Sequence, residues 1–175
     1  AIDLDADSFG GTISIIADPS LTATIIEPVR RSTHGHLRRD EGAAVLYAIG
    51  YEINLRRGDL DSETLEIRAW TSHPEAPFQA VDFRIRTPYL RSVKVKTKRG
   101  RVWVKGNTGP VDITTTYGDI RVVTDHPIHD AMTLLTKDGS IDLRAPAGST
   151  GLFHCVAKGG GVFHRITAAS ITAAS

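Results

Sequence analysis

Apolar and polar residues alternate along most of this chain, the period-two signature of half-buried β-strands. Ile2, Leu4 and Ala6 alternate with Asp3, Asp5 and Asp7, and Ile13 and Ile15 follow a Gly10–Gly11 pair. A strand-like TATII (22–26) comes next, and Pro28 is expected to stop it. Residues 29–42, VRRSTHGHLRRDEG, are the most polar stretch and read as a long exposed loop. The segment AAVLYAIG (43–50) is the one helix candidate, with Asp40 as N-cap and Gly50 as stop. It reads equally well as the start of a strand running into YEINL. YEINL (51–55) and TLEIRAW (64–70) flank RRGDLDSE and predict a hairpin with a longer loop. HPEAP (73–77) is a turn or linker. VDFRIR (81–86) is a further strand, which Pro88 ends.

From residue 93 one unit recurs. Its copies are VKVKTKRGRVWV (93–104), VDITTTYGDIRV (111–122), MTLLTKDGSIDL (132–143) and FHCVAKGGGVFH (153–164). Each holds a glycine at one place, Gly100, Gly118, Gly139 and Gly160, at spacings of 18, 21 and 21 residues. Three residues earlier stand Thr97, Thr115, Thr136 and Ala157. Positions −7, −5, −3, +2 and +4 share one face of extended chain, and the glycine turns it. The inward set is therefore Val93, Val95, Val102, Val104, Val111, Ile113, Ile120, Val122, Met132, Leu134, Ile141, Leu143, Phe153, Cys155 and Val162. The inward threonines are placed to bond neighbouring backbone. A weaker copy surrounds Gly11, with Leu4, Ala6, Ser8, Ile13 and Ile15 in register.

A single unit cannot bury its apolar face, whereas stacked units can. The fold class is thus all-β: a β-solenoid, a right-handed β-helix-like stack of strand–glycine turn–strand repeats of about twenty residues. A β-sandwich of stacked hairpins is the alternative. The domain expectation is one repeat-built unit over 1–165, irregular over 1–80 and regular over 81–165, with a tail at 166–175. That tail, ITAASITAAS, is a linker, a final edge strand or an artificial addition.

The run VDFRIRTPYLRSVKVKTKRGRVWVKGNTGPVDITTTYGDIRV (81–122), with its T-x-x-G-x-V-x-V units, resembles the bacterial putative-adhesin domain family of unknown function. The resemblance covers roughly 1–165 and is strongest over 81–145. It implies a β-solenoid-like fold and an envelope or surface setting in bacteria. It carries no catalytic residue across. The fourth copy departs from the pattern, with Ala157 for threonine and two extra glycines, as a terminal rung would.

Bulk properties narrow the function classes. The 175 residues can bury a core without staples. A formal net charge of +1 gives no global field toward nucleic acid or an anionic membrane. No apolar run approaches the roughly 18 residues of a membrane helix. Cys155 stands alone, so no intrachain disulfide forms. The chain opens on Ala1, as a processed form or excised fragment would, and no targeting segment is visible.

Each candidate for chemistry has a simpler competitor. Asp3, Asp5 and Asp7 resemble the start of a calcium loop, but Ser8 and Ser14 stand where its glycine and glutamate belong. They read as a solvated strand face. The pairs His34 with His36 and His126 with His129 lack a third zinc ligand at recognisable spacing, and Cys155 reads as a core hydrophobe. There is no G-x-S-x-G and no phosphate-cradling loop. Asp119 aligns with Ser140 and Arg121 with Asp142, so no acidic ladder forms for glycoside cleavage. Arg57-Gly58-Asp59 reads as ordinary turn chemistry. One surface remains: Lys94, Lys96, Arg101, Trp103 and Lys105, all on the phase opposite the valines. A tryptophan among cations suits stacking on a sugar ring or a base, with the cations meeting phosphate or uronate, unless Lys94 and Lys96 only keep a strand soluble and Trp103 packs under the N-terminal segments. No cofactor and no metal are expected. The expected function is a non-enzymatic adhesin-like scaffold or interaction module. The first alternative is a carbohydrate-active protein acting on an acidic glycan, and the second is self-assembly through rung edges. Partners are a protein or a polysaccharide at the cell surface, with no nucleic acid and no membrane insertion by this segment.

Overall fold

A computed structural model describes residues 1–32, 39–58, 62–73, 78–166 and 171–174, with side chains described for all but 39–41 and 171–174. In chain order the elements are β1 (Ile2–Ser8), β2 (Ile13–Ala17), β3 (Ile25–Ser32), α1 (Arg39–Tyr47), β4 (Ile49–Arg57), β5 (Glu63–Thr71), β6 (Gln79–Thr87) and β7 (Leu90–Arg99). Then follow β8 (Val102–Lys105), β9 (Val111–Tyr117), β10 (Ile120–Val123), β11 (Met132–Asp138), β12 (Ile141–Arg144), β13 (Phe153–Ala157), β14 (Val162–Arg165) and β15 (Ile171–Ala174).

Two sheets face one another. One has eight strands in the order β15-β13-β11-β9-β7-β1-β5-β4, and the other has seven in the order β14-β12-β10-β8-β2-β6-β3. Every repeat places its first strand in the eight-stranded sheet and its second in the seven-stranded one. The glycine turn is therefore an arc between sheets, not a hairpin, which excludes the sandwich of stacked hairpins. Successive coils pair in parallel, and only β3 and β4 run antiparallel to their neighbours.

The registers line the core up beneath itself. Ile67, Ala6, Val95, Ile113, Leu134 and Cys155 form one row across the first sheet. Phe83, Ile13, Val102, Ile120, Ile141 and Val162 form its counterpart in the second. All the expected inward residues are buried except Val162, which is partly exposed because its strand β14 is the outermost of the seven-stranded sheet. Ser8, Thr97, Thr115 and Thr136 form a buried polar row at the arc. Thr136 Oγ1 donates to Gly118 O at 3.0 Å and Thr97 Oγ1 to Arg99 O at 3.3 Å, whereas Thr115 Oγ1 has no partner. The arc glycines stack just beyond this row. A Cβ on Gly118 would sit 2.0 Å from Gly100 O, so only glycine lets one arc rest on the last.

The N-terminal coil is out of chain order. β1 lies between β5 and β7, and β2 between β6 and β8. Residues 2–17 thus fill a rung between coils contributed by 63–87 and 90–105. Residues 1–80 therefore supply the whole coil β1–β2 and the strand β5 of the next, whose second strand β6 runs over Gln79–Thr87.

Four local expectations change. Val29–Ser32 is not loop but the end of β3, and part of 29–42 is helix; residues 33–38 lie outside the described residues. Pro28 sits inside β3 instead of stopping it, because β3 is a sheet edge bonded on one side only. The strand expected at 22–26 begins at Ile25. Both readings of 43–50 hold in part: the helix runs to Tyr47 and the strand starts at Ile49. Of the tail, Ile171–Ala174 adds a last parallel strand beside β13.

β3, β4 and α1 cap one end of the stack. Arg30 lies 5.0 Å from the Tyr51 ring centroid, and Tyr51 meets Phe83 edge to face at 6.0 Å. These contacts tie the edge strands of the two sheets together.

Candidate functional site

Side chains that do not enter the core stand on two outer faces, one per sheet. This splits the expected surface patch. Lys94 and Lys96 stand on β7 in the eight-stranded sheet, whereas Arg101, Trp103 and Lys105 lie on or beside β8 in the other. All five are exposed, but the two groups point away from each other across the core. Equal phase along the chain does not mean equal face here, because the arc at Gly100 passes the chain to the opposite sheet.

On the seven-stranded face Trp103 is 39% exposed, so it is not packed under the N-terminal segments. Its strand neighbours are Ser14 and Arg121. The carboxylates of this face are held by arginines. Asp82 accepts from Arg31 and from the Thr12 amide (2.7 Å), Asp119 lies 3.6 Å from Arg101, and Asp142 is shared by Arg121 (3.4 Å) and Arg144 (3.1 Å). Arg121 stands opposite Asp142 in the ladder, as the sequence alignment of the repeats requires.

On the eight-stranded face the three N-terminal aspartates point outward along β1 among cations of both neighbouring strands. Asp3 accepts from Arg91 Nε (2.8 Å) and Ser92 Oγ (2.6 Å), and Asp5 from Arg68 at 3.1 Å. The hydrogen bond from Arg91 holds the Asp3 carboxyl below the ordinary carboxylate range. Asp7 is placed between Arg68 of β5 and Lys96 of β7 without closing an ion pair on either. These are cross-strand contacts of a solvated face, and no calcium loop is formed.

The remaining candidates also disperse. His126 and His129 are exposed, with His129 Nδ1 2.8 Å from Thr150 Oγ1. No set of three metal-ligating groups converges among the described residues. His34, His36 and Asp59 lie outside them; Arg57 reaches Glu63 at 3.6 Å. Burial pushes the Cys155 thiol up to about 11, which makes it inert.

The eight-stranded face does hold a groove that the sequence reading missed. It measures about 410 Å³ and crosses β5, β1, β7 and β9. Trp70 stands at one end, 52% exposed, and Asp7, Lys96, Thr114 and Thr116 line the rest. The outward phase of Trp70 in TLEIRAW was the available signal, but nothing in the chain near it hinted at its neighbours.

Comparison with known proteins places the architecture. The family model of Toastrack DUF4097 matches residues 50–164. The chain belongs to the Toastrack DUF4097 family. The matched span leaves out the β1–β2 coil, although that coil lies in the middle of the stack. The fold is also similar to a solved structure described as a "putative cell adhesion protein from Clostridium sporogenes ATCC 15579", at TM-score 0.51 and 9% identity, over 95% of this chain and 92% of that one. Among curated proteins nothing matches. Toastrack architecture here means two facing sheets of mostly parallel strands.

Proposed function

We propose that this Toastrack chain is a non-enzymatic, adhesin-like interaction scaffold of the bacterial cell envelope or surface. The observation that carries the reading is the pair of outer faces, where polar side chains repeat in strict strand register over an apolar core. Such a face is rigid, and a rigid surface loses little entropy when it binds. The family and the likeness to the adhesion-protein fold support the setting.

The chemistry of the side chains supports a non-catalytic role. A glycosidase acid needs a carboxyl with a raised pKa. Asp3 and Asp18 are both shifted the other way, Asp3 chiefly by its bond from Arg91 and Asp18 by its bonds from Ser20. Asp82, Asp119 and Asp142 are occupied by arginines.

Antibody labelling of intact bacteria that express the chain tests the reading. Labelling before lysis, removed by protease shaving, is the expected outcome. Signal that emerges only after lysis contradicts it.

A further inference from the structure

We propose that the groove on the eight-stranded face is a binding site for a linear oligosaccharide, with Trp70 as its stacking platform. The inference rests on the scaffold reading above and adds the ligand class and the place.

Gly50 decides the attitude of the tryptophan. It stands directly opposite Trp70 in the β4–β5 ladder. A Cβ on Gly50 would fall 2.3 to 2.5 Å from Cε2, Cζ2 and Nε1 of the indole. The ring therefore rests on the bare backbone of Gly50 and lies along the sheet. Any larger residue at position 50 would lift it. An indole laid this way is buried below and open above, and half of it remains exposed. The positive C–H edges of a pyranose ring pack on such a face.

The rest of the groove supplies the polar half of sugar recognition. Asp7 supplies a carboxylate acceptor and Lys96 an ammonium donor, and among the described residues neither closes an ion pair. Thr114 and Thr116 add hydroxyls that donate and accept, while the Thr71 hydroxyl at the rim is engaged by Gln79 and the His73 amide. These groups are drawn from four neighbouring strands, so the site runs across the sheet for about three strand spacings, roughly 14 Å. That length and the volume of about 410 Å³ suit several linked sugars in an open channel. All the side chains stand on strands, so the site is formed before the ligand arrives.

Calorimetric titration of the whole chain with cellotetraose, chitotetraose and tetragalacturonate tests the assignment. At least one should bind, and Trp70→Ala should weaken it by about tenfold or more, the loss of one stacking contact. Gly50→Val should weaken it likewise while Trp70 is still present, which a merely structural tryptophan would not explain. Trp103→Ala, on the opposite sheet, should leave affinity within about twofold. Absence of binding by the wild type, or a Trp70→Ala variant that binds as well as the wild type, overturns the assignment. Labelling of intact cells in the earlier experiment alongside either result would leave the scaffold reading standing and remove only this site.

Discussion

At Gly100 the backbone has φ +137°, and an ideal Cβ would fall 1.9 Å from the carbonyl oxygen of Gly11. Both facts demand glycine, one through the chain's own conformation and one through its neighbour. Gly100→Ala should therefore destabilise the fold by more than about 2 kcal/mol in urea unfolding, since the clash is with backbone and cannot be relieved by a rotamer. A loss below about 0.5 kcal/mol would mean that the arcs do not rest on one another. The threonine row gives a paired contrast. Thr136 donates to Gly118 O, so Thr136→Val should cost about 1 kcal/mol. Thr115 Oγ1 is buried with no acceptor, so Thr115→Val should be neutral or stabilising. Equal costs at the two sites would show that Thr115 has a partner after all.

Strand β1 is held between its neighbours by more than packing. Asp3 accepts from Arg91 and Ser92 of β7, and Asp5 from Arg68 of β5. The Asp3 pKa is lowered in the folded chain, so its ionised form favours folding. That contribution is present above the ordinary carboxylate value of about 3.9 and is lost as pH falls through the folded value. Asp3→Asn should be less stable than the wild type at pH 7, with the gap closing toward pH 2. A constant gap across that range would contradict the ion pair's role. At this scale the repeats were legible because each carries its alternation and its glycine locally. Pro28 was misread because its tolerance depends on an unbonded neighbour side, which the local sequence does not mark. The outer patch divides between two faces for a related reason. Phase along the chain places Lys96 and Trp103 alike, but the intervening arc assigns them to opposite sheets.

Over the whole molecule the order of coils departs from the order of the chain. The pairing of Ala6 with both Ile67 and Val95 joins residues some sixty to ninety positions apart. No local pattern marks such an insertion, so the weaker copy around Gly11 was visible as a coil while its place was not. The same insertion builds the groove, since Asp7 enters it between Trp70 and Lys96. The unusual position of β1 is thus central to both the fold and the proposed site. Disulfide trapping between outward positions of adjacent coils tests it directly, because parallel neighbours near 4.8 Å suit the Cα separation of a disulfide and second neighbours near 9.6 Å do not. Asp5 stands beside both Glu66 and Lys94, which are separated from each other by β1. Cysteines at 5 and 66, and at 5 and 94, should cross-link on mild oxidation of the folded chain, while the pair at 66 and 94 should not. Ready cross-linking of 66 to 94, with position 5 joined to neither, would contradict the inserted coil.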